Sequence, residues 1–276
     1  MSNLYLISPE YVEQTGVAIS GSSTAAGMPW SNLLTPFPHE RARSTNLTTV
    51  YFELDFGAAR AWDSIWLGYS NARSATNWRI RAADTQGNLT AAPNHDSGTI
   101  AIWPASSPST LATDWPRGAF GFYNILGATV TRRWLRVDIT DGSHPDGYFQ
   151  FGCLIPGLIF TPTYGWAYGG EEPTEVEPPD RARSISGVAF PTPAPTPAKE
   201  SVLLKSLSQA EYRSIRRLYR LRGSHKHVLV VKDPTDTGYL HENTIHGLFT
   251  SMAPFTQRYV KPAYGYGCEL SLESMG

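Results

Sequence analysis

The chain predicts a mainly β protein: an antiparallel sandwich of jelly-roll type over residues 1–165, then a small α+β unit. Three observations carry that expectation. Short segments alternate apolar and polar residues with the period of two of a half-buried strand. The stretches between them are rich in Gly, Pro, Asn, Asp and Ser, the residues of tight turns. No helical period of useful length appears before residue 200.

In VYFELDFG, Phe52, Leu54 and Phe56 share one face and Glu53 and Asp55 the other. DSIWLGY reads as the next strand. In NWRIRAAD, Trp78, Ile80 and Ala82 alternate with Arg79 and Arg81; in RWLRVDIT, Leu135, Val137 and Ile139 alternate with Arg136 and Asp138, so each strand has one wet face. DTQGN, APNHDSG, PASSPS and DGSHPDG read as the turns between strands.

Residues 166–200 form a connection. YGGEEPTEVEPPDRARS is acidic and proline-rich, SISGVAF suits a short strand, and PTPAPTPAK is a stiff polyproline-like run. Residues 201–276 form the α+β unit. It opens with a helix over SQAEYRSIRRLYRLRG, where Ser208 and Glu211 have the spacing of a capping box and Gly223 stands at the C-cap. HVLVVKD then reads as a buried strand, TIHGLFT as another, and YGCELSLES as a closing strand with Cys268, Leu270 and Leu272 inward.

With 23 Lys and Arg against 24 Asp and Glu, the net charge is -1, so no bulk attraction to nucleic acid or an anionic membrane is expected. The first residues lack a basic stretch followed by an apolar one, and no run approaches the roughly 18 apolar residues of a membrane span; a soluble protein made in a cytoplasm is expected. The two cysteines, Cys153 and Cys268, read as buried thiols.

The helix is amphipathic, with Tyr212, Ile215, Leu218 and Tyr219 on one side and Arg213, Arg216, Arg217 and Arg220 on the other. Arginines can neutralise phosphates or pair bidentately with carboxylates. Without a helix-turn-helix partner or zinc spacing, the four are candidates for docking on an acidic protein surface, not on nucleic acid.

His225, His227, His241 and His246 lie near one another in sequence, but no cysteine or carboxylate stands at a recognisable ligand spacing, so no metal or cofactor is expected. Asp138, Asp141, Ser143 and Asp146 bring oxygens into one loop without the EF-hand spacing, and Asp-Gly pairs are turn formers first. No G-x-S-x-G, phosphate loop or H-E-x-x-H occurs, and Glu171 and Glu172 fall in a solvated acidic run; no enzyme is expected. Trp30, Trp103 and Trp115 sit beside prolines in loop-like sequence. They either plug loop bases over the core or, as candidate ligand-binding residues at Trp103 and Trp115, stack on a sugar or a partner.

AISGSSTAAGMPWSNLL followed by VYFELDFGAARAWDSIWLGYSNARSATNWRIRA resembles the discoidin-type sandwich that recurs in tail proteins of tailed bacteriophages. GLIFTPTYGWAYGGEEP, the capped helix with its following VLVVKDP and TIHGLF strands, and the terminal YGCELSLE resemble the C-terminal pattern of tail-tip or minor tail proteins. PTPAPTPAKE departs from that pattern as an insert. The resemblance implies a structural subunit of the tail tip or baseplate. It implies a symmetric homo-oligomer in the virion tail, in contact with other tail proteins, and it supplies no catalytic residues. The alternative reading is a lectin-like module that binds a bacterial surface glycan.

Overall fold

The structure, a computed structural model, describes residues 4–103, 119–125, 127–164, 174–175, 182–183, 189–190, 198–252, 256–257 and 265–275. The strands of the first part are β1 (Tyr5–Ile7), β2 (Ala18–Gly21), β3 (Ala42–Arg43), β4 (Val50–Trp62), β5 (Ser64–Ser70) and β6 (Asn77–Ala83). They continue with β7 (His95–Ala101), β8 (Ala119–Asn124), β9 (Val130–Thr140), β10 (Gln150–Phe151), β11 (Cys153–Gly157) and β12 (Ile159–Phe160). Three short strands follow, β13 (Thr174–Glu175), β14 (Ala182–Arg183) and β15 (Ala189–Phe190). The last part holds β16 (Ala198–Leu207), helix α1 (Gln209–Arg222), β17 (His227–Val231), β18 (Thr244–Met252), β19 (Thr256–Gln257) and β20 (Tyr266–Ser274).

The first part is the expected antiparallel sandwich. One sheet runs β2-β4-β9-β6-β7 and faces β11-β5-β8, with the pair β10-β3 beside them. The period of two sets the registers: Leu54 lies opposite Leu135, and Val137 lies between Phe52 and Ile80, so one face of the five-stranded sheet is continuously apolar. That face meets Ile65, Leu67 and Leu154 of the opposite sheet in the sandwich core.

APNHDSG, read above as a turn, is instead partly the edge strand β7, paired with β6. Its residues are mostly exposed, so an edge position replaces the expected alternation, and Gly98 at φ 64 accompanies the register shift opposite Arg79 and Arg81. Two short helical turns, Trp30–Leu34 and Asn88–Ala91, also occur in loop-like sequence.

The α+β unit is built on an eight-stranded sheet with the path β12-β1-β17-β18-β20-β16-β13 and β19 on β20. It reaches outside residues 201–276, because β1 pairs with both β17 and β12. The capping box of α1 is present, with Glu211 N–H donating to Ser208 Oγ and Ser208 N–H donating to Glu211. Polyproline residues 191–197 and most of the acidic stretch lie outside the described residues.

Strand β17 is apolar on both faces. Val228 and Val230 pack with Ile215 of α1, while Leu229 and Val231 pack with Trp66 and Ile155 of the sandwich. The molecule is therefore layered as helix, large sheet, then sandwich, and the run HVLVV is continuous because neither face meets water. Each fully buried Leu or Val side chain contributes about 1.5–3 kcal/mol to that seam.

Candidate functional site

A cleft of about 290 Å³ opens where the sandwich meets the large sheet. Its floor is the corner between β4 and β5. Asp63 N–H donates to Gly157 O at 3.1 Å, Ile125 N–H donates to Asp63 O at 2.8 Å, and Ile159 N–H donates to Asp63 Oδ1 at 2.9 Å. Burial raises the Asp63 carboxyl above its ordinary range, and the Ile159 N–H draws it back down. Across the cleft, Asn124 Nδ2 donates to the Tyr5 hydroxyl at 3.3 Å, with Thr129, Thr161, Ile125 and Ile159 completing the wall. An aspartate, an asparagine, a tyrosine and two threonines thus line a small space with an aliphatic side, which suits a polyhydroxylated small molecule.

At the opposite end of the sandwich the oxygen-bearing loop is closed by protein groups. Arg73 grips Asp141 at 2.5 and 2.8 Å and reaches Ser143 at 2.7 Å, holding the Asp141 carboxyl well below the usual range. Asp138 pairs with Arg81 and Arg136, and Asp146 accepts from Asn71. Asp141, Ser143 and Asp146 thus make the contacts of a pinned turn, while Asp138 lies within β9, opposite Tyr51 and Arg79.

Trp103 is 4% exposed, its indole N–H donates to Ala72 O at 3.0 Å, and its ring faces His241. Of the two readings given above for this ring, the burial fits the plug of a loop base over the core, with His241 of the C-terminal part beside it. Trp30 is likewise buried, donating to Ser22 O. Trp115 lies outside the described residues.

Arg213, Arg216, Arg217 and Arg220 are all exposed on the outer side of α1, Arg216 donating to the Tyr212 hydroxyl. The inner side packs through Ile215, with Tyr212 stacked on Tyr266 at 4.6 Å. The helix's fifth arginine behaves differently. Arg222 is 1% exposed, donates to His227 O, and forms a two-pronged pair with Glu13 at 2.6 and 2.7 Å.

Glu13, whose side chain is 23% exposed, opens a polar chain that runs from the surface into the buried seam. His227 Nε2 lies 3.3 Å from its carboxylate, His227 Nδ1 is 2.6 Å from His246 Nε2, and His246 Nδ1 is 2.9 Å from the Tyr69 hydroxyl. The Cys153 thiol adjoins the two imidazoles. Burial works to raise the Glu13 carboxyl, but hydrogen bonds from His227 and Arg222 outweigh it and hold it at about 2. Burial lowers both imidazoles, with Glu13 pulling His227 back up, and raises the Cys153 thiol. Both cysteines are free and buried, as expected.

Sequence reading singled out His225, His227, His241 and His246 together; only His227 and His246 meet, one on each of two paired strands, with Leu229 opposite His246. Glu13, Tyr69 and Cys153 carried no local signal.

No protein-family model and no curated protein sequence matches the chain. Solved structures do match. The family 32 carbohydrate-binding module of AlyQ in complex with 4,5-unsaturated mannuronic acid is 16% identical at a TM-score of 0.36, covering 50% of this chain and 92% of its own. The family 32 module of C. perfringens NanJ in complex with galactose is 11% identical at 0.37, covering 55% and 98%. SpGH29 is 16% identical at 0.38, and the match covers 52% of this chain but only 27% of SpGH29. Among the described residues, no helix is long and apolar enough to cross a membrane.

Proposed function

We propose that the chain is a non-catalytic binding protein whose sandwich takes a saccharide in the cleft between Asp63, Asn124 and Tyr5. The observation that carries this reading is the cleft's lining: Asp63, Asn124, Tyr5, Thr129 and Thr161 beside Ile125 and Ile159. A sugar ring presents hydroxyls that both donate and accept, on a frame with apolar C–H faces, and such a wall answers both needs. Because β1 and β12 belong to the large sheet, the test uses the whole chain and not the sandwich alone. On a glycan array, binding at millimolar sugar is expected and should fall at least tenfold in Asn124→Ala. An array with no bound sugar, or binding unchanged in that variant, overturns the reading.

A second reading rests on a different observation, the four exposed arginines of α1. In it the protein is a structural subunit of a virion tail tip or baseplate, a symmetric homo-oligomer docked on acidic groups of neighbouring tail proteins. The two readings are compatible, since a scaffold can also attach to a host surface. Charge reversal at Arg216 and Arg217 should block particle assembly while leaving the far-ultraviolet circular dichroism of the chain unchanged. Normal particles from that variant count against docking through this face.

A further inference from the structure

We propose that Cys153, His227 and His246 bind one transition-metal ion of the zinc class at the seam between sandwich and large sheet. Their donor atoms come from β11, β17 and β18, all lie within 4.8 Å of one another, and the three residues are 1%, 2% and 4% exposed. Two imidazoles and a thiol form a borderline-to-soft donor set, which suits Zn²⁺ and its neighbours and does not suit Ca²⁺ or Mg²⁺, which prefer oxygen.

The surroundings orient these donors as a metal site requires. A metal-bound histidine holds its second ring nitrogen on a carboxylate, carbonyl or hydroxyl, and that partner fixes the ring. Here His227 turns Nε2 to Glu13, itself clamped by Arg222, and His246 turns Nδ1 to Tyr69. The remaining nitrogens, His227 Nδ1 and His246 Nε2, converge at 2.6 Å with their rings nearly perpendicular.

Tyr69 reaches this position through an uncommon backbone. Its φ is 55, in the left-handed region, and it stands in the register shift of β5 against β8 between Leu67 and Ser70. A non-glycine residue held there is strained, and such strain concentrates where a side chain must be aimed.

Without metal, one proton shared by the two inner nitrogens closes the chain: Tyr69 O–H donates to His246 Nδ1, and His246 Nε2–H donates to His227 Nδ1. Binding replaces that hydrogen bond. The His246 proton moves from Nε2 to Nδ1, the Cys153 thiol loses its proton to solvent, and the ion bonds to one sulfur and two nitrogens. Donors about 2.0–2.3 Å from a tetrahedral ion stand about 3.3–3.8 Å apart, so side-chain shifts of about 1 Å complete the site.

The test titrates the metal-free, untagged full-length chain with Co²⁺, a spectroscopic stand-in for Zn²⁺, and then displaces it with Zn²⁺. One ion per chain, a thiolate-to-cobalt absorption band and release of about one proton are expected. Cys153→Ser should remove the band, and Tyr69→Phe should weaken binding about tenfold. The wild-type spectrum decides even where a variant fails to fold. No stoichiometric ion, a cobalt spectrum without the thiolate band, or a band that survives in folded Cys153→Ser each overturns the site.

Discussion

The outer face of the five-stranded sheet and the seam beneath it use the same chemistry, guanidinium on carboxylate, in opposite surroundings. On the sheet, Arg136 faces Glu53 directly across β4 and β9, and Arg79 reaches Asp96 from β6 to the edge strand. Both pairs follow from strand register; Arg79 and Asp96 stand in water, while Arg136 and Glu53 are largely covered, their side chains 12% and 9% exposed. At the seam, Arg222 is sealed from solvent and its carboxylate comes from residue 13, far away in the chain. The lesson is that an ion pair's importance here depends on what surrounds it once a partner is lost. Exposed pairs contribute about 0–1 kcal/mol, whereas removing one partner of a buried pair costs about 3–5 kcal/mol because the other charge stays buried.

The largest effect should follow from Glu13→Gln. It removes the negative charge but leaves Arg222 enclosed, with only the His227 carbonyl and a neutral amide to face it. A loss of about 3–5 kcal/mol is expected in urea denaturation. A loss below about 1 kcal/mol would make the seam equivalent to the surface and end the contrast.

A pH experiment sharpens the same contrast. His241 lies on the loop that covers Trp103, and burial pushes its imidazole down to about 4. The folded value is below the roughly 6.5 of an unfolded chain, so the neutral form is the one the fold accepts. Its contribution is complete above about pH 6.5 and is lost as the pH falls from there to about 4, on the order of 3 kcal/mol in all. His241→Leu should flatten the stability profile across that window. An unchanged slope would place the acid sensitivity in other groups.

The sandwich was legible in sequence because its information is local. Leu135, Val137 and Ile139 alternate with polar residues, and that alternation alone assigns the buried face. The helix was legible for the same reason: Ser208, Glu211 and Gly223 act within a turn of the backbone they cap. The seam was not. Tyr69, Cys153, His227 and His246 come from four strands whose meeting depends on β1 and β12 joining the C-terminal sheet, and no local period encodes that pairing. Arg222 carried no separate signal either, since it belongs by composition to an arginine-rich helix, and it is its pairing with Glu13 and the His227 carbonyl that sets it apart. Trp103 stood beside a proline in loop-like sequence, where burial and exposure leave the same local pattern.

The smallest effect, and the control for the others, belongs to Arg79. Its guanidinium meets Asp96 on two atoms, one at 2.8 Å, but the side chains are 43% and 30% exposed, and Asp96 also accepts from Gly98 N–H at 2.9 Å. Water can solvate either partner when the other is removed, so Arg79→Gln should cost less than about 1 kcal/mol. The residual cost should shrink further between about 0.1 and 1 M salt, as the screening length drops from about 10 to 3 Å. Glu13→Gln should keep most of its effect in the same salt, because the Arg222 charge, 1% exposed, is not reached by mobile ions. If salt reduced both variants alike, the seam would be hydrated, and its distinction from the sheet face would rest on geometry alone.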